Sequence, residues 1–93
     1  MANINMYDIE TIQNVNVKRV WDILIKTLEE DDSICTCRDC VLDIAAITLN
    51  NIPPHYQILD ENYDEAYRKV SDEEIQHQIK LAVERVKLHP HHL

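Results

Sequence analysis

The chain has 93 residues, enough for one hydrophobic core and too few for two, and it reads as a single domain over residues 1–93. Seventeen acidic residues against nine basic ones give a formal charge of −8, which repels polyphosphate backbones and excludes general nucleic-acid binding. No run approaches the roughly 20 apolar residues that span a bilayer and no secretory segment opens the chain, so a cytoplasmic protein with reduced thiols and no membrane association is expected.

The first residues carry scattered apolar positions at Ile4, Met6, Ile9 and Ile12, compatible with a helical arm or an ordered coil. From Asn14 or Asn16, either of which suits an N-cap, the pattern sharpens. Val17, Val20, Trp21, Leu24, Ile25 and Leu28 recur on one helical face, and Glu29, Glu30, Asp31 and Asp32 end the helix where its dipole disfavours negative charge. Trp21 is expected in the core or a dimer seam.

Ser33 leads into Cys35-Thr36-Cys37-Arg38-Asp39-Cys40, a C-x-C-x2-C knuckle holding every cysteine of the chain. Beyond it Val41 to Leu49 is apolar around nearly the whole circumference of a helix, which predicts an enclosed central helix from about Thr36–Asp39 to Asn50. The chain has no glycine, so the helix end near Asn50 and Asn51 is expected to use asparagine at positive φ. Pro53 and Pro54 stop the helix, and an extended segment from Ile52 to Ile58 should cross the bundle with Tyr56 and Ile58 packed on it.

Tyr63, Tyr67 and Val70 are spaced as on a short helix. Ser71 with Glu74 three residues later is a capping box. It opens an amphipathic helix through Ile75, Ile79, Ala82, Val83 and Val86, ended by Pro90. The fold class is therefore all-α: a compact domain of three main helices plus a short fourth, with the cysteine knuckle at the start of the buried central helix.

Cys37 and Cys40, three residues apart on a first helical turn, face one way, and Cys35 can fold back from the preceding coil. Soft sulfur ligands in a reducing compartment suit Zn2+, which takes a fourth ligand to close a tetrahedron. Candidates are His77 on the last helix, His89, His91 or His92 in the tail, Asp43 one turn beyond Cys40, or water; a histidine is the usual partner of three cysteines, so His77 and His89 stand first. Nothing in the sequence matches a cysteine-nucleophile signature, so no enzyme is expected. Asp43 sits inside the apolar helix, where a carboxylate needs a partner: an ion pair, a backbone group, the metal site or a ligand.

The stretch from Cys35 to Tyr56, with Cys35, Cys37, Cys40, Asp43, Leu49, Asn50, Pro53, Pro54 and Tyr56 in order, resembles the defining segment of the ComFB family of late competence development proteins. The resemblance implies a helical, non-enzymatic homodimer that binds zinc through cysteines. It also implies reception of a cyclic dinucleotide, cyclic di-GMP above all. Arg38, Arg19, Arg68 and Arg85, each expected at the surface as a charged side chain, offer forks for phosphate or guanine edges, and Tyr56, Tyr63 and Tyr67 a stacking face; Arg38, Asp43, Tyr56 and Arg68 are the candidate ligand residues. The alternative function is a protein-interaction adaptor with no small-molecule ligand.

Overall fold

A computed structural model of the chain describes residues 3–58 and 61–89. Two short 3-10 turns (Ile4–Met6 and Ile9–Thr11) lead into strand β1 (Ile12–Asn14), followed by α1 (Asn16–Glu30), α2 (Arg38–Asn50), β2 (Tyr56–Ile58), α3 (Asp64–Lys69) and α4 (Asp72–Leu88). The domain is helical, with three main helices and a short fourth, as its periodicities imply.

The hydrophobic pattern also fixes how the helices meet. Val20 and Leu24 of α1, Cys40, Val41 and Ile44 of α2, and Ile75, Ile79, Ala82, Val83 and Val86 of α4 form one core, closed by Ile34, Ile52 and Val70 from the connections. α2 packs most extensively on α4, and α1 packs on both. At one pole Arg19 of α1 reaches Asp72 at the start of α4; at the other Lys87, near the end of α4, donates to Ser33 just past α1. Thus α1 and α4 run parallel, and α2, returning after a short connection, runs antiparallel to both.

The element ends follow their local chemistry. Ser71 accepts the Glu74 amide at 3.1 Å, as the capping box requires. α1 is introduced by Asn14, whose side-chain oxygen accepts the amides of Asn16 and His55, while Asn16 itself is buried and donates to the Pro53 carbonyl. At the end of α2 no residue takes a positive φ: Asn51 stays at φ −110° and donates its side-chain amide to the Ile47 carbonyl at 2.8 Å. An asparagine therefore does close the helix, through its side chain rather than through a left-handed backbone.

Three expectations are corrected. The segment after the two prolines does not lie against the helices but pairs antiparallel with β1, Ile12 opposite Ile58 and Asn14 opposite Tyr56, and Tyr56 and Ile58 are exposed. Neither three-residue strand has the length or alternation that would mark it in sequence. The first helix is apolar over a wider arc than its core contact: Val20 and Leu24 are buried, whereas Val17, Trp21 and Ile25 remain exposed, Trp21 at 41%. Likewise α2 buries Cys40, Val41, Ile44 and Thr48 but leaves Leu42 43% exposed and Ala46 in solvent, so a single copy does not enclose the central helix.

Arg19 is the fourth departure, since a charged residue was expected at the surface. It is 8% exposed. Its Nη1 donates to Asn16 Oδ1 and the Ala66 carbonyl, its Nη2 to the Val70 carbonyl and Asp72 Oδ1 at 2.8 Å each, and its guanidinium lies 4.2 Å from the centre of the Tyr67 ring. Burial is tolerable because nearly every N–H of the fork finds an acceptor, Nε alone lacking one among the described residues. Replacing Arg19 by Met strands the Val70 carbonyl, while the Ala66 carbonyl keeps the Val70 amide, and is expected to lower the unfolding free energy by about 2–4 kcal/mol. Asp72→Asn, at a carboxylate 58% exposed, should cost less than about 1 kcal/mol. Urea titration followed by the fluorescence of Trp21 checks both.

Candidate metal centre

The connection from α1 to α2 is shaped to deliver sulfur. Asp31, just past α1, accepts both the amide and the hydroxyl of Ser33, at 2.9 and 2.6 Å, and these two bonds hold its carboxyl below the ordinary value for aspartate. The turn is therefore supported by a charged Asp31 at neutral pH and loses that support as pH falls through the lowered value. Ile34 then drops into the core, Cys35 follows half-buried, and Cys37 becomes the exposed N-cap of α2.

A cysteine serves here as an N-cap because its sulfur takes the place of the usual oxygen: Cys37 Sγ accepts the amide of Cys40 at 3.4 Å. Cys40, one turn on, is 1% exposed at the edge of the core. The sulfur atoms of Cys35, Cys37 and Cys40 all lie within 4.8 Å of one another. Tetrahedral zinc with bonds of about 2.3 Å sets its sulfurs about 3.8 Å apart, so side-chain rotations of about 1 Å close the set around an ion. The three thiols fit the metal in number, softness and spacing.

Among the described residues no histidine joins this sulfur group. His77 is exposed on α4, half a turn from the stripe formed by Ile75, Ile79 and Val83 that faces the core. As a fourth ligand from the same chain it is corrected by that orientation. His89 caps the C-terminus of α4 and is exposed, also outside the sulfur group, but the Lys87–Ser33 contact puts the end of α4 at the pole where the knuckle lies. His91 and His92 fall outside the described residues. Asp43, half-buried on α2, is not one of the close donors either.

The other candidate residues are dispersed. Arg38 is exposed at the start of α2, 3.4 Å from the Asp39 carboxylate; Arg68 is exposed in the last turn of α3; Tyr56 is exposed on β2. Tyr56 lines a shallow groove of about 400 Å³ with Ile12, His55, Gln57 and Glu65, which neither arginine reaches. Arg19 is buried and engaged with the face of Tyr67, whose ring remains half exposed. A second groove, of about 620 Å³ between α1 and α4, holds Lys26, Lys80 and Lys87 over a floor of Ile23, Ile34 and Val83. Its lysines were legible only as separate surface charges, because the parallel course of the two helices is a tertiary fact.

The family model for ComFB, the late competence development protein, matches residues 13–90, which takes in the knuckle, the four α-helices and the strand pair except Ile12. This chain belongs to the ComFB family. No curated protein and no solved structure gives a significant match. Within this ComFB chain, no helix among the described residues is long and apolar enough to cross a membrane.

Metal analysis of the reduced protein after zinc addition should give one ion per chain. Cys40→Ser, which removes the buried ligand, should weaken zinc binding by more than about 100-fold, beyond what loss of an outer supporting partner costs. A competitive chelator titration measures the change.

Proposed function

We propose that this protein is a non-enzymatic cytoplasmic regulator: a homodimer in which one zinc ion per chain fixes the start of α2 and whose signal is a cyclic dinucleotide, cyclic di-GMP in the first instance. The observation that carries the reading is the convergence of Cys35, Cys37 and Cys40 at the mouth of the helix that forms the centre of the core. A small domain gains rigidity from such an ion without enlarging its interior. The fourth ligand is a histidine at the end of α4, with His89 the candidate among the described residues, since Lys87 and Ser33 join that end of α4 to the approach of the knuckle. It would tie the last helix to the central one.

The uncovered surface supports the homodimer. On α1 the flank toward α4 carries Ile23, Thr27 and Glu30, so Val17, Trp21 and Ile25 lie on the other flank, beside α2. The outward residues of α2, Leu42 and Ala46, are exposed as well. A second copy laid on this face would complete the enclosure that the composition of α2 demands, and a two-fold interface is the commonest way to do so. Cyclic di-GMP is itself two-fold symmetric, which suits a site straddling such an axis, and Arg38 and Arg68 with Tyr56 present the forks and the ring that phosphates and guanines take.

The adaptor reading stands second. One observation favours it: of the two grooves described above, Tyr56 lines one, and neither Arg38 nor Arg68 lines either.

Light scattering of the eluting protein should give a dimer mass for the wild type and a monomer mass for Leu42→Glu combined with Trp21→Glu. Calorimetric titration with cyclic di-GMP should show saturable heat that Arg68→Ala weakens by about 10-fold or more, the loss of one charge-assisted contact. Absence of heat at high micromolar ligand removes the receptor reading and leaves the adaptor.

A further inference from the structure

We infer that Cys37 and Cys40 form a redox-active dithiol, in which a hydroperoxide joins the two sulfurs and so dismantles the metal centre. Release of the ion rests on the zinc reading above; formation of the disulfide does not.

The inference comes from an asymmetry within the knuckle. Cys37 and Cys40 are separated by two residues across the first turn of α2, the outer one exposed at the N-cap and the inner one 1% exposed. A small oxidant from solvent therefore meets Cys37 and not Cys40. The Cys40 amide donates to Cys37 Sγ, so the backbone already holds the outer sulfur over its neighbour, and both sulfurs belong to a group with separations within 4.8 Å. An exposed sulfur at a helix N-terminus, backed by a protected one two residues further in, is the arrangement in which the first is attacked and the second resolves. Cys35 differs: it precedes the helix and its cap and is half-buried.

In the first step Cys37 thiolate attacks one oxygen of the hydroperoxide. The O–O bond breaks, an alcohol (water, from hydrogen peroxide) leaves with a proton from solvent, and Cys37 becomes a sulfenic acid. In the second the Cys40 thiol attacks the Cys37 sulfur, the S–O bond breaks and water leaves, carrying the thiol proton. The two electrons lost by the sulfur pair are those that reduce the peroxide. An ion that held both thiolates keeps only Cys35 and its fourth ligand, too few for tight binding. The step is stoichiometric and is reversed by a thiol or phosphine reductant, so it acts as a switch and not as turnover.

The sequence supplies a direct readout. Trypsin cuts after Lys26, Arg38 and Arg68, which places Cys35 and Cys37 on the peptide 27–38 and Cys40 on the peptide 39–68. Zinc-loaded and metal-free protein are each treated with hydrogen peroxide in slight molar excess, remaining thiols are alkylated, and unreduced digests are analysed by mass spectrometry while a chromogenic chelator records free zinc. The expected result is a cross-linked peptide pair in both samples. One zinc should be released per pair formed, the pair should persist in Cys35→Ser, and phosphine should reverse it. Peptides that stay separate, through free thiols, sulfonic acids or a Cys35–Cys37 bridge, overturn the inference, as does loss of the pair in Cys35→Ser. A protein that takes up no zinc yet forms the pair supports the dithiol and overturns the metal reading.

Discussion

The guanidinium of Arg19 gathers four parts of the chain at one point. Through Asn16 it connects to the Pro53 carbonyl beyond α2; directly it holds the Ala66 and Val70 carbonyls that end α3 and the Asp72 carboxylate that begins α4. Helix C-termini leave carbonyls without intrahelical donors, and a buried pole with several of them needs a donor with many N–H groups in a fixed plane. Lysine offers a single point and could not serve the same acceptors. The six-residue α3, too short to be stable alone, exists where it does because its last carbonyls have that donor and Tyr67 lies against the donor's face.

The opposite pole is built on different chemistry. There the core is closed by Ile34 and the half-buried Leu28, and the side chains beyond it are sulfur, the Ser33 hydroxyl and the Lys87 ammonium. One pole is locked by hydrogen bonds from nitrogen, the other is prepared for a soft cation. Between them α2 runs from the thiols to the asparagine-capped end at Asn51, so its position is set at both ends by polar contacts while its middle is fixed by Ile44 and Thr48.

Much of this was legible in the sequence, and the reasons differ by element. α4 announced itself because Ser71 and Glu74 are a local device followed by one clean stripe; the observed cap uses that hydroxyl. The knuckle was legible because C-x2-C on a first helical turn fixes its own geometry. Arg19 was not, because three of its four acceptors lie 47 to 53 residues away and no local pattern encodes them. The strand pair was missed for the same reason. His77 differs: residue type nominated it, but its phase against Ile75 and Ile79, already readable in the sequence, places it on the outward face. The wide apolar arcs of α1 and α2 were read as core when a single chain covers only part of them, since periodicity records which faces avoid water and not what covers them.

The absence of glycine, met above as a matter of how α2 ends, also acts on the denatured chain. Every residue carries a Cβ, so the unfolded ensemble samples fewer backbone states than that of an ordinary sequence with several glycines. Each such position spares about 0.4–1 kcal/mol of ordering entropy when its native dihedrals suit a side chain, and here no described residue has a positive φ to object. For a domain this small, with apolar flanks still in water, a stiffer starting ensemble supplies margin that its interior does not.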